Sequence, residues 1–122
     1  MFINYKNYNL PIENVELIES NTILLLKTSS YTYKYEAIGD CCSTSFIKKY
    51  KEDFSSIIGK IIKSVKEIQF EDEYISDKDC DYCTSPHLYQ IKFKNSNKTF
   101  EFLMINYSNG YYDGWITSYV II

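Results

Sequence analysis

Cys80 and Cys83 are separated by two residues in Cys80-Asp81-Tyr82-Cys83, and His87 lies four positions beyond Cys83. That spacing lets two thiolates and an imidazole converge on one ion, and Cys41 or Cys42 would complete a tetrahedral zinc site. Adjacent cysteines chelate a single metal poorly, however, and a second paired knuckle is missing, so the same residues also read as plain thiols in a loop. A redox role for Cys80 and Cys83 meets an electrostatic obstacle. Asp77, Asp79 and Asp81 would raise a thiol pKa, whereas a reactive pair needs it lowered. Cys41 and Cys42 precede a segment of helical periodicity, so Cys42 as nucleophile with His87 as base is a second chemical reading. Its alternative is a pair of small buried side chains at a strand-to-helix corner, where cysteine is at home. His87 is the only histidine, and any acid–base scheme hangs on that one ring.

Other chemistries find less support. Gly39, Gly59, Gly110 and Gly114 are too scattered for a phosphate-binding loop or a dinucleotide fingerprint. The carboxylates Glu71-Asp72-Glu73 and Asp77, Asp79 and Asp81 lack the ordered ligand spacing of a calcium loop and read as a solvated acidic loop. The expectation is no catalytic residue, no metal and no cofactor. All 13 basic residues are lysines in a chain of net charge −3, which disfavours nucleic-acid binding, since that needs a basic face. The N-terminal segment has no signal-peptide pattern, and no run reaches the roughly 18 apolar residues of a membrane span. Cytoplasmic residence is therefore expected, in the host cell if the gene is a phage's. In that compartment the four cysteines are thiols or ligands rather than disulfides.

The elements that must position these groups can be read from periodicity. The 122 residues, 45% of them hydrophobic, match one domain over residues 1–122. Asn14-Val15-Glu16-Leu17-Ile18 is a short apolar run. Thr22 to Lys27 reads as a buried strand, and Tyr31, Tyr33 and Tyr35 alternate with Thr32, Lys34 and Glu36 as its antiparallel partner. Ser43 or Thr44 would cap a helix carrying Phe46, Ile47, Tyr50, Phe54, Ile57 and Ile58 at helical spacing. Beyond Gly59 the apolar residues fit both periods; a strand is chosen for its β-branched content. Tyr89, Ile91 and Phe93, a tight turn at residues 96–99, and Phe100, Phe102 and Met104 form a hairpin with one buried face. Ile116 to Ile122 reads as a last strand. The expected fold class is α+β, a mainly antiparallel sheet of about six strands packed on one helix.

Three segments carry a resemblance. Gly39-Asp40-Cys41-Cys42-Ser43-Thr44-Ser45-Phe46, Ile58-Gly59-Lys60 and Asn106-Tyr107-Ser108-Asn109-Gly110-Tyr111-Tyr112-Asp113-Gly114-Trp115 resemble the signature segments of a family of phage and bacterial proteins, a domain of unknown function of the DUF7448 type. The likeness extends over most of the chain from Tyr31 onward, and the loop from Cys80 to His87 lies outside its pattern. It implies that Asp40, Cys41, Cys42, Ser43, Asn106, Ser108, Asn109, Gly110 and Tyr111 matter together. Asp40 can cap the expected helix, while Asn109-Gly110 and Gly114 permit turns with positive φ. Two readings stand side by side: two structural turns packed on each other, or a polar ligand site between them built from Asp40, Cys42, Ser43, Asn106, Ser108 and Asn109, with Tyr111, Tyr112 and Trp115 as flat walls. Either requires the corner at Asp40 to Ser43 and the turn at Asn106 to Trp115 to lie at the same end of the sheet.

The richness in Lys, Ile, Asn and Tyr reflects AT-rich codons and points to a low-GC bacterial or phage genome. Together with small size and an incomplete catalytic set, it favours a non-enzymatic accessory protein of a phage or mobile element. Such a protein would bind a host protein or a small polar ligand, an inhibitor of host defence being the concrete version. The rivals are a thiol- or zinc-dependent enzyme using Cys41, Cys42 and His87, and a zinc-stabilised interaction module.

Overall fold

A computed structural model describes residues 3–39, 43–68, 86–107 and 114–122. Within them the chain forms strands β1 (Asn14–Ile18), β2 (Ile23–Lys27), β3 (Thr32–Gly39), β4 (Thr44–Lys49), β5 (Ile62–Ile68), β6 (His87–Phe93), β7 (Thr99–Tyr107) and β8 (Gly114–Ile121). Every pairing is antiparallel. The strands make two four-stranded sheets, ordered β1-β2-β3-β8 and β4-β7-β6-β5. The sheets pack face to face, with Leu24, Leu26, Tyr33, Tyr35 and Ala37 of the first against Ile47, Ile62, Ile91, Phe93, Phe100, Phe102 and Met104 of the second.

This corrects the expected α+β class: the described residues hold no α-helix, only 3₁₀ turns at Tyr5–Asn7 and Phe54–Ile57. The segment expected as a helix after Ser43 is instead β4, paired over its whole length with β7. Its apolar spacing misleads for a physical reason. Phe46 and Ile47 look like neighbours on one helical stripe, but on a strand successive side chains point to opposite faces. Ile47 enters the main core, while Phe46 packs on a second cluster of Leu88, Leu103 and Ile105 across the sheet. A strand between two apolar layers loses its alternation. The same holds for β7, where residues 102–106 are all buried.

The two hairpins expected from alternation are present as β2–β3 and β6–β7. Tyr89, Ile91, Phe93, Phe100, Phe102 and Met104 do share the core face. Their connection is longer than the tight turn expected: residues 94–98 intervene, with Asn95 at φ 59°. The choice of a strand after Gly59 agrees with β5. The acidic loop from Glu71 to Asp81 lies outside the described residues.

A turn and an N-terminal strap tie the sheets together. Glu19, Ser20 and Asn21 are successive left-handed residues, at φ 53°, 55° and 66°, a conformation that costs roughly 1–2 kcal/mol for each side chain bearing a Cβ. Hydrogen bonds offset that cost: Thr22 donates from Oγ1 to the Glu19 carbonyl at 2.7 Å, and Ile47 of β4 donates its N–H to the Asn21 carbonyl at 2.7 Å. At the other side, residues 3–12 run as a strap along the sandwich. Ile12 donates its N–H to the Lys60 carbonyl and accepts from the Gly59 N–H. The Lys94 ammonium donates to the carbonyls of Tyr5 and Tyr8, at 3.1 and 3.3 Å, and to the Asn9 side chain.

Candidate functional site

β3 leaves the first sheet at Gly39 and the chain enters the second at Thr44; β7 leaves the second at Tyr107 and the chain returns to the first at Gly114. The registers place these four points together, because Gly39 pairs with Gly114 and Thr44 with Tyr107. The flanks of the two reversals therefore lie at one end of the sandwich, as the shared-site expectation requires.

What the flanks build is a buried polar knot. Asn106 donates from Nδ2 to Ser43 Oγ at 3.1 Å and to Ser45 Oγ at 2.9 Å, and Ser45 donates to the Ile38 carbonyl at 3.1 Å. Asn106 is 0% exposed and Ser45 3%. Buried amides and hydroxyls are costly unless bonded, and these are bonded to one another across 61 to 63 residues of sequence. Gly114 makes this possible through space, not through φ. A Cβ there would stand 2.0 Å from Ser45 Oγ, 2.7 Å from the Ile38 carbonyl oxygen and 2.9 Å from Asn106 Nδ2. The positive φ expected at Gly114 is absent from its backbone; among the described glycines it occurs at Gly59. Gly39 is similarly crowded, its missing Cβ falling 2.5 Å from the Ser43 carbonyl oxygen.

Of the residues singled out by sequence, Ser43 and Asn106 are thus brought into contact. Trp115 is not part of their knot: it sits on the outward face of β8, 45% exposed. Asp40, Cys41, Cys42, Cys80, Cys83, Ser108, Asn109, Gly110, Tyr111 and Tyr112 lie outside the described residues. Sequence reasoning misses Ser45, because reading residues 43–58 as a helix separates it from Ser43. On a strand, positions 43, 45 and 47 share a face.

His87 opens β6, and its Nδ1 is paired with the Glu67 carboxylate of β5. Among the described residues no three His, Cys, Asp or Glu side chains gather as metal ligands. No helix among them is long and apolar enough to cross a membrane.

The strongest electrostatic perturbations lie elsewhere, in a cluster of tyrosines where the strap meets β3. Tyr5 and Tyr35 share a hydroxyl–hydroxyl bond of 2.8 Å, and the Leu10 N–H donates to the Tyr31 hydroxyl at 2.8 Å. The rings of Tyr8, Tyr31 and Tyr33 meet edge to face, with centroids 5.0 to 6.1 Å apart. Burial pushes the Tyr5 hydroxyl up to about 12, against a small opposing effect of its bond to Tyr35. Burial likewise holds Tyr35 well above the ordinary tyrosine range. The Tyr33 hydroxyl is buried and makes no hydrogen bond of acceptable geometry in the structure; burial first, then the Tyr31 hydroxyl beside it, raise its pKa strongly. These groups stay neutral at physiological pH and serve packing.

The surface differs in character along β8. Trp115, Tyr119 and Ile121 alternate on its outward face, 45%, 37% and 50% exposed, while Ile116 and Val120 face the core. Ile38, Glu36, Lys34 and Thr32 of β3 lie beside this row, opposite Trp115, Thr117, Tyr119 and Ile121. Lys34 and Glu36 pair with each other at 3.6 Å.

No family model matches the chain, and no solved structure matches it. A curated relative is the "Uncharacterized protein L278" of Acanthamoeba polyphaga mimivirus, 35% identical over 100 residues that cover 77% of this chain and 72% of the relative. A relative of this chain is thus encoded by a virus. That identity, over that share of both chains, exceeds what a shared composition produces, and the chain belongs to the same family as the mimivirus protein.

Proposed function

We propose that the protein is a non-enzymatic accessory protein of a virus or mobile element that acts by binding a host protein, inhibition of host defence being its concrete form. The observation that carries this is the outward row Trp115, Tyr119 and Ile121 on β8. Large, stiff aromatic side chains give contact area at low entropic cost, and Trp and Tyr dominate the energetic centres of protein interfaces. Lys34 and Glu36 beside the row supply the polar rim that such an interface has. The viral relative supports an accessory role, and the likeness to the DUF7448 type, with its phage and bacterial members, is part of the same reading. A small polar ligand at the corner is the weaker reading, since Asn106 Nδ2 is spent on Ser43 and Ser45, and the Ser45 hydroxyl on the Ile38 carbonyl.

The test is quantitative co-purification from host cells with the wild-type chain and with Trp115→Ala. A partner recovered by the wild type should be lost by Trp115→Ala and kept by Lys98→Ala, which sits in the remote β6–β7 connection. Trp115→Ala is solvent-facing and should change stability by no more than about 1 kcal/mol. Recovery of the same proteins by all three chains would refute the reading.

A further inference from the structure

The strap over residues 3–12 crosses the sandwich without joining either sheet. Among the described residues, the backbone of residues 3–10 makes backbone hydrogen bonds only within itself, from Asn7 to Asn4 and from Tyr8 to Tyr5, and pairing with the sandwich begins at Ile12. Five hydrogen bonds hold the strap to the rest of the chain short of that point. One joins the hydroxyls of Tyr5 and Tyr35, and one runs from the Leu10 N–H to the Tyr31 hydroxyl. The other three all come from the Lys94 ammonium, to the carbonyls of Tyr5 and Tyr8 and to the Asn9 side chain. An ammonium has three N–H donors, so the hold of Lys94 is complete. Its own backbone is fixed by an N–H bond of 2.8 Å to the Ile61 carbonyl, next to Lys60, where Ile12 is anchored.

Beneath the strap lie Tyr31, Tyr33 and Tyr35, alternate residues that share one face of the chain. The Tyr5 ring meets Tyr33, and the Tyr8 ring meets Tyr31 and Tyr33; Ile3 adds apolar burial. The cover is imperfect. Tyr33 is buried, yet its hydroxyl makes no hydrogen bond of acceptable geometry, and a buried hydroxyl without one is costly. Water satisfies that hydroxyl once the strap lifts, so closure carries a penalty that opening relieves. We propose that residues 3–10 are a latch over the tyrosine face of β3, held shut by Lys94, which lifts as a unit about Pro11 while both sheets stay folded. Pro11 is exposed and has no N–H to unpair. Ile12 beyond it is buried and bonded through both its N–H and its carbonyl, which makes it the fixed end of the hinge. The strap is thus the chain's own occupant of an aromatic face that the closed form hides and the open form presents. Openings smaller than global unfolding draw on segments of this kind, with few backbone bonds to their surroundings.

The latch lies on the core-side face of β3 and not on the outer face of β8, so it and the host-protein reading can fail separately. Amide hydrogen exchange of the full chain, followed by NMR across low urea concentrations, tests it. The Tyr8 and Leu10 amides are expected to exchange through one shared opening. Its urea slope should lie well below that of amides in the middle of β7, because the slope scales with the surface exposed. Lys94→Met should speed exchange at both amides about tenfold or more, since it removes three hydrogen bonds from a charged donor. Lys98→Ala, in the exposed β6–β7 connection, should leave both within roughly threefold of wild type. Tyr33→Phe should slow exchange, because opening then relieves no unsatisfied hydroxyl; ordinary loss of packing would act in the opposite direction. Should Lys94→Met fail to fold, the wild-type slopes and Tyr33→Phe decide. Equal urea slopes for the strap and β7 in the wild type would mean that the strap leaves only with the whole fold, and would overturn the proposal. Wild-type exchange rates in a folded Lys94→Met chain, or faster exchange in Tyr33→Phe, would overturn it as well.

Discussion

The two ends of β3 bury polar groups by opposite means. Toward its start, Tyr33 and Tyr35 place their hydroxyls among other rings, with one hydroxyl–hydroxyl bond to Tyr5 and a Tyr33 hydroxyl that makes no good bond. Toward its end, Ser43, Ser45 and Asn106 form a connected knot whose closeness depends on Gly114. The first end is stabilised by apolar area and ring contacts, which tolerate a misplaced hydroxyl. The second is stabilised by bonds of fixed length and direction, and it holds the point where both connections pass between sheets. Small errors should therefore be expensive at the corner and cheap among the tyrosines.

The largest effect is expected for Gly114→Ala. Its Cβ would overlap Ser45 Oγ and the Ile38 carbonyl, so denaturant unfolding should show a loss of about 3 kcal/mol or more. A loss under about 1 kcal/mol would mean that the corner can open without cost. Asn106→Ala comes next, at roughly 2–3 kcal/mol, because it leaves the buried Ser45 hydroxyl and the half-buried Ser43 hydroxyl without their shared donor and opens a void. Tyr35→Phe should cost about 1 kcal/mol for its bond to Tyr5, while Tyr33→Phe should be neutral or slightly stabilising. Equal losses for these two would contradict the contrast between a bonded and an unbonded hydroxyl.

The last prediction concerns pH dependence. Tyr5 is raised from 10.0 to about 12 in the folded chain, so the unfolded chain releases this proton first as pH rises. The contribution to stability is fully present below pH 10 and is lost between there and about 12. The unfolding midpoint should fall across that window, and Tyr5→Phe should flatten the fall. Gly114→Ala should lower the whole curve without changing its alkaline slope, since Ser43, Ser45 and Asn106, which it crowds, do not titrate.

Where one face of a strand is buried, the sequence shows it. Tyr31 to Tyr35 and Tyr89 to Phe93 alternate, and their hairpins are legible for that reason. Where both faces are buried, the period-two signal vanishes: Phe46 and Ile47 of β4 serve different clusters, and their spacing imitates a helix. The corner is legible in part. Ser43 and Asn106 stand in segments that the sequence reading expects to act together, and their hydrogen bond shows that the segments' flanks meet. Ser45 is hidden by the helical spacing around it, and Gly114 is required for the space its missing Cβ leaves, not for the positive φ that its sequence context suggests.

Composition and periodicity by themselves determined the half-buried hairpins, the core face of Phe93, Phe100 and Phe102, and the uncharged character of residues 114–122, because those properties depend on neighbours within a few residues. Only the tertiary structure decided that β4 is a strand, that Gly39 stands beside Gly114, and that among the described residues β8 ends its sheet while β7 is interior. An edge differs from a central strand by what lies alongside it. That neighbour is supplied by chain from far away in sequence, and no local pattern records it.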